Sequence, residues 1–95
     1  MPAVAFLGSI GSGHGCFPPR PSVSGDPTFR INGIPVHRAG DAWGPHSCGL
    51  VTHDGVLAAG SPTFRVNGQP AGRIADPVDC GSVCAQGDPT FRVSD

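Results

Sequence analysis

The chain contains no lysine and no glutamate; its six cations are all arginine and its seven anions all aspartate. Two of the best charged helix formers are therefore missing, and aspartate favours turns and caps over helix interiors. No window spaces apolar residues at a helical period for long enough to matter. Helix is a poor expectation and short strands a good one. Large apolar side chains are scarce as well, with five Phe and one Trp in 95 residues. A core that small usually needs a disulfide, a metal or oligomerisation to hold it. The net charge of −1 is spread along the chain without a basic run, so the electrostatic footprint of a nucleic-acid binder is missing. The apolar opening Met1-Pro2-Ala3-Val4-Ala5-Phe6-Leu7-Gly8 has no basic flank and is too short for a signal peptide or a membrane span. The expectation is a protein made in the cytoplasm without a signal peptide. In a reducing cytosol its four cysteines are expected as metal ligands or free thiols rather than disulfides.

Glycine (15) and proline (11) are abundant, and they recur at fixed places. The segment from Gly25 to Asp41, GDPTFRINGIPVHRAGD, returns from Gly60 to Asp76 as GSPTFRVNGQPAGRIAD, with ten of seventeen positions identical and no gap. A truncated third copy, GDPTFRV, runs from Gly87 to Val93. Each copy reads as a hairpin: Thr-Phe-Arg-Ile/Val is an alternating run of strand formers, and Asn-Gly favours a two-residue type I′ turn. Pro35 and Pro70 place the returning strand at an edge, since proline has no backbone donor. The 95 residues are read as a single all-β domain of short hairpins, irregular, with pseudo-threefold internal repetition. Phe29, Phe64 and Phe91 are expected in the core facing the axis, and Arg30, Arg65 and Arg92 on a solvated face.

The residues ahead of each copy carry the chemistry. His53 lies seven residues before Gly60 and Cys80 seven before Gly87. His14 lies eleven before Gly25, and the Pro18-Pro19-Arg20-Pro21 insert accounts for the extra four. One imidazole or thiolate thus occupies the same place in each repeat, and threefold packing would bring all three to the axis. Three such ligands and one more from a linker make a closed tetrahedral structural zinc site. The fourth is His46, in the loop between the first two copies, with Cys48 as second choice. Cys80 and Cys84 have the C-x3-C spacing of zinc ligands, but Cys16 and Cys84 read more simply as small buried hydrophobes. His37 is expected as an exposed strand residue, because the second copy has Gly72 there.

The segment from Gly60 to Asp76, with Pro70-Ala71-Gly72-Arg73 and the more divergent Pro35-Val36-His37-Arg38, closely resembles the proline-alanine-alanine-arginine (PAAR) repeat family. The resemblance runs from about His14 to the C-terminus. It implies a sharp conical β-structure held near its tip by one zinc on three His and one Cys, which match His14, His46, His53 and Cys80. It implies a non-enzymatic part that sits on the blunt end of a trimeric β-helical spike, one copy per trimer, in contractile phage tails or type VI secretion systems. Such a tip is delivered to the target cell envelope and touches it transiently. Some relatives carry an effector domain; this chain is expected to have no room for one, so any effector passenger would come from elsewhere.

Two rivals belong to other classes. A zinc hydrolase would need an open coordination position, a carboxylate base such as Asp54 or Asp79, and a substrate pocket. A secreted disulfide mini-domain would pair four cysteines in one of three connectivities, and leave four histidines without a purpose.

Overall fold

Both Asn-Gly pairs turn as the sequence predicts. In the computed structural model, which describes residues 2–93, Asn32 and Gly33 have φ of 51° and 82°, and Asn67 and Gly68 have 49° and 81°. Two successive positive φ values define the type I′ turn, whose twist suits the strands it joins. Among the described residues the chain is all-β, with no helix. Its strands are β1 (Ala3–Val4), β2 (Ile10–Gly11), β3 (Arg20–Pro21), β4 (Asp26–Ile31), β5 (Ile34–Val36), β6 (Ala42–Cys48), β7 (Val51–Val56), β8 (Arg65–Val66), β9 (Gln69–Pro70) and β10 (Asp88–Arg92). They pair antiparallel as β1–β10, β2–β3, β4–β5, β6–β7 and β8–β9.

The third copy finds its returning strand at the far end of the chain. Asp88 and Arg92 of β10 pair with Val4 and Ala3 of β1, as Asp26 and Arg30 of β4 pair with Val36 and Pro35 of β5. Ala3-Val4-Ala5 therefore stands where Pro35-Val36-His37 and Pro70-Ala71-Gly72 stand in the other copies. The match continues into the next turn, where Gly8, Gly40 and Ala75 share positive φ values of 93°, 90° and 78°. The apolar opening is thus the missing half of a repeat.

A ring of backbone hydrogen bonds marks the pseudo-threefold axis. Ala5 N–H donates to Gly72 O (2.8 Å), Gly72 N–H to His37 O (2.8 Å), and His37 N–H to Ala5 O (3.0 Å). Beside it, the bridges Ser22–Trp43, Leu57–Val78 and Cys84–Gly11 recur around the same axis. His37 is consequently not the exposed strand residue expected; it is fully buried. The axis has room for one large side chain there because its equivalents are Ala5 and Gly72, and a Cβ on Gly72 would lie 2.6 Å from Leu57 Cδ2. Trp43 exploits the same asymmetry one layer on. Its equivalents are Gly11 and Val78, and a Cβ on Gly11 would lie 3.0 Å from the indole. The His37 and Trp43 rings pack 4.5 Å apart.

Two apolar clusters form the core. One joins Val4, Ile31, Val36, Val66, Ala71 and Val93, with Phe29, Phe64 and Phe91 packed against it. The three Phe rings meet one another at 5.2, 5.5 and 5.7 Å, as the repeat register places them, while Arg30, Arg65 and Arg92 are exposed. The other cluster joins Ala5, Trp43, Leu57, Val78 and Cys84, and Cys80 packs against that one. The copies are also tied side to side. Asn32 Nδ2 donates to Asp88 (2.7 Å) and Thr90 (3.0 Å), and Asn67 Nδ2 donates to Asp26 (2.7 Å) and Thr28 (3.0 Å). The molecule measures 38 × 22 × 22 Å, long in one direction and equal across the other two.

Candidate metal centre

His14, His46, His53 and Cys80 come together, with one potential ligand atom from each lying within 4.8 Å of all the others. Each arrives by a different local device. His14 opens a tight turn in which its N–H and C=O both pair with Phe17, at 3.0 and 2.9 Å. His46 and His53 face each other across the β6–β7 hairpin, so one register places both. Cys80 sits in a turn closed by Gly81 N–H to Val78 O (3.1 Å), with Gly81 at φ 104°.

Three imidazole nitrogens converge. His46 Nε2 lies 2.6 Å from His53 Nε2, His14 Nε2 lies 3.1 Å from His53 Nε2, and Cys80 Sγ lies 4.0 Å from His46 Nε2. An ion with Zn–N bonds of about 2.0–2.1 Å holds tetrahedral nitrogens about 3.3 Å apart, so both nitrogen pairs are closer than an ion would hold them and would open slightly around one. His46 Nδ1 donates to Pro18 O at 2.8 Å, which leaves Nε2 unprotonated and aimed inward. Facing nitrogen lone pairs repel unless a proton or a cation sits among them. Burial, then the neighbouring charges of His46, His53 and Arg20, lower the His14 pKa below 6.5. That favours the neutral imidazole a metal requires. The four side chains could hold a metal ion, and the donor set, three imidazoles and a thiol, is one that suits zinc.

Two further residues shape the centre, and sequence reasoning assigned neither. Arg20, treated only as part of a proline-rich insert, is 4% exposed. Its guanidinium donates to Cys80 Sγ (2.9 Å), Ser82 Oγ (2.8 Å), Ser12 O (3.1 Å) and Gly44 O (3.2 Å). These bonds fix where the sulfur stands relative to the three imidazoles. The flanking Pro19 and Pro21 were the available signal, since a single arginine between prolines has little freedom to wander. Phe17 packs its ring 4.9 Å from His14, 4.9 Å from His46 and 4.1 Å from His53, an apolar wall on the three imidazoles.

Cys84 is a buried free thiol, as the sequence reading has it, whereas Cys16 is not the small buried hydrophobe expected and Cys48 is neither ligand nor free thiol. Cys16 and Cys48, the latter the second choice for fourth ligand, are joined in a disulfide with Cα atoms 5.3 Å apart. The His14 turn and the β6–β7 hairpin meet there, bringing the pair within normal bridging distance. Cys84 and Cys80 are free. Cys84 is buried, donates to Gln86 O at 3.2 Å, and is pushed up to about 11 by that burial. Of the carboxylates considered as catalytic bases, Asp79 accepts the Val56 N–H at 3.0 Å, and Asp54 is exposed. Neither belongs to the cluster.

A comparison with curated proteins finds no match. The model of the PAAR motif matches residues 12–86, which takes in all four clustered side chains and both complete repeats. With that match over most of its length, the chain belongs to the PAAR-motif family of spike-tip proteins.

Proposed function

We propose that this chain is the zinc-stapled tip that caps the trimeric β-helical spike of a contractile injection apparatus, one copy per trimer, and that it does mechanical rather than catalytic work. The observation that carries the reading is the hydrogen-bonded ring of Ala5, His37 and Gly72. It supports a single chain that offers three near-equivalent faces about one axis. The Phe29, Phe64 and Phe91 end, bordered by exposed Thr28, Thr63 and Thr90, repeats the same surface three times. One monomer can therefore meet three identical partner edges without a mismatch, and the partner's strands would cover strand edges that are otherwise prone to self-association.

At the other end His14, His46, His53 and Cys80 would hold the zinc, with Arg20 and Phe17 supporting and shielding it. A bound zinc ties four separate parts of the chain into one unit, so that unfolding under load requires losing the metal. The tip then travels on the spike and meets the target envelope first. Elemental analysis of the purified chain and native mass spectrometry of its complex with the spike test the reading together. One zinc per chain and one chain per spike trimer are expected. Three chains per trimer would sink the capping geometry, and a metal-free protein would sink the staple.

A further inference from the structure

The disulfide is placed on the two arms that carry ligands. Cys16 lies two residues beyond His14 and Cys48 two residues beyond His46. The His14 turn is tight, with both of its backbone bonds made to Phe17, and Cys48 ends β6 opposite Val51. Joining these sulfurs therefore joins the His14 turn to the hairpin that bears both His46 and His53. Cys16 is exposed and Cys48 half-buried, so a small thiol reagent can reach the bond. The remaining thiols are set apart from this chemistry, Cys80 held by Arg20 and Ser82 and Cys84 enclosed in the core.

We propose that Cys16 and Cys48 form a redox-operated clasp on the metal centre. They stay as two thiols while the chain is made and loaded in a reducing compartment, and close when the tip meets an oxidising medium. The inference rests on the metal reading above. The oxidant is a small-molecule disulfide. One protein thiolate attacks it to form a mixed disulfide and release one small thiol; the second protein thiolate displaces the other. Two protein S–H bonds and one small-molecule S–S bond are lost, while one protein S–S bond and two small-molecule S–H bonds are gained. The two protons end on the released thiols, and two electrons pass from the protein sulfurs to the reagent.

The clasp acts on metal release. One way for the ion to escape is for the His14 turn to swing away from the hairpin, and the bridge removes that motion. Cys80 stands on a third arm that the bridge leaves free, so release is slowed rather than stopped. The test uses the full chain loaded with zinc under reducing conditions and divided in two. One half is oxidised with oxidised glutathione and the other kept reduced with a phosphine. Alkylation and intact mass report the bond, and a chromogenic chelator reports zinc release. Release about tenfold slower from the oxidised half is expected, with the difference abolished in Cys16→Ser and in Cys48→Ser and retained in Cys84→Ser. Alkylation of both Cys16 and Cys48 after oxidation would overturn the clasp, and so would equal or faster release from the bridged form. Zinc absent from both halves would sink the metal reading and the clasp with it, whereas zinc present with equal release sinks the clasp alone.

Discussion

The Phe end and the His end of the molecule are built from the same three repeats and use them in opposite ways. At the Phe end the copies deliver like residues: Phe29, Phe64 and Phe91 in one layer, and Val4, Val36 and Ala71 in the next. At the His end they deliver unlike ones: Gly11, Trp43 and Val78, then Ser22, Leu57 and Cys84. The candidate ligands continue that divergence, with His14, His53 and Cys80 in register and His46 added from the hairpin. Symmetry is kept where a threefold partner would dock. It is broken where a tetrahedral ion on a threefold axis needs a fourth, different ligand. A true homotrimer would repeat every ligand three times; three diverged copies in one chain escape that constraint.

On the proposed zinc staple, removing the metal should strike the His end hardest and give the largest effect. Structural zinc contributes about 10–16 kcal/mol of apparent binding free energy, comparable with the entire stability of a typical domain, about 5–15 kcal/mol. Treatment with a strong chelator is therefore expected to lower the thermal midpoint further than any single substitution below. Amide protection should be lost first in β6 and β7. Hydrogen exchange followed by mass spectrometry reads this directly. Simultaneous loss at both ends would mean that the two halves are one cooperative unit, and an unchanged midpoint would falsify the staple.

The converse perturbation is Phe64→Ala at the other end. Phe64 meets Phe29 at 5.2 Å and Phe91 at 5.7 Å and is only partly buried. Its removal should cost about 2–3 kcal/mol, below the range of about 3–5 kcal/mol for a fully buried aromatic because the ring is only partly buried. Denaturant unfolding should show that loss while zinc content stays at the wild-type level. A variant that loses zinc as well would break the separation of the two ends.

A smaller effect should follow from Arg20→Met, which keeps the apolar stem and removes the guanidinium. Its four hydrogen bonds fix Cys80 and tie it to Ser82, Ser12 and Gly44. Loss of such an outer contact typically weakens metal affinity about 10–100-fold. Competition with a chelator of known affinity measures it, and an unchanged zinc affinity would reduce Arg20 to a packing residue.

The sequence was most informative where chemistry repeats. The Asn-Gly turns, the Phe series and the shared position of His14, His53 and Cys80 all follow from register, and the structure brings those residues together as the register requires. The return strand of the third copy was hidden because Ala3-Val4-Ala5 is followed by Phe6 and Ser9, where the other copies have the ion-paired Arg38 with Asp41 and Arg73 with Asp76. Without that pair nothing marks the segment as a repeat. His37 was misplaced for a related reason: its burial depends on Ala5 and Gly72 being small, and their adjacency exists only once the ring has closed. The Cys16–Cys48 contact likewise depends on two turns that are remote in sequence.

His37 lies between the two ends and allows the smallest and most local test. Burial is the main cause that lowers its pKa from 6.5; the Ser24 carbonyl and Asp41 pull it upward, and Arg38 pushes it down. Nδ1 donates to Ser24 O at 3.0 Å, and Nε2 has no hydrogen-bond partner among the described residues. A folded-state pKa below the unfolded one means that the unfolded chain binds the proton more readily. The contribution of neutral His37 is therefore complete above 6.5 and is lost as pH falls through the folded value. Asp26 and Asp88, lowered from 3.8 chiefly by bonds from Thr28 and Thr90, act in a separate window, holding their contribution above 3.8 and losing it below. Denaturant midpoints of the zinc-loaded protein between about pH 7.5 and pH 5 should fall more steeply for wild type than for His37→Gln. Acid effects common to both proteins cancel in this comparison, so only the difference between the two slopes belongs to His37. Parallel slopes would mean that the ring tolerates the charge.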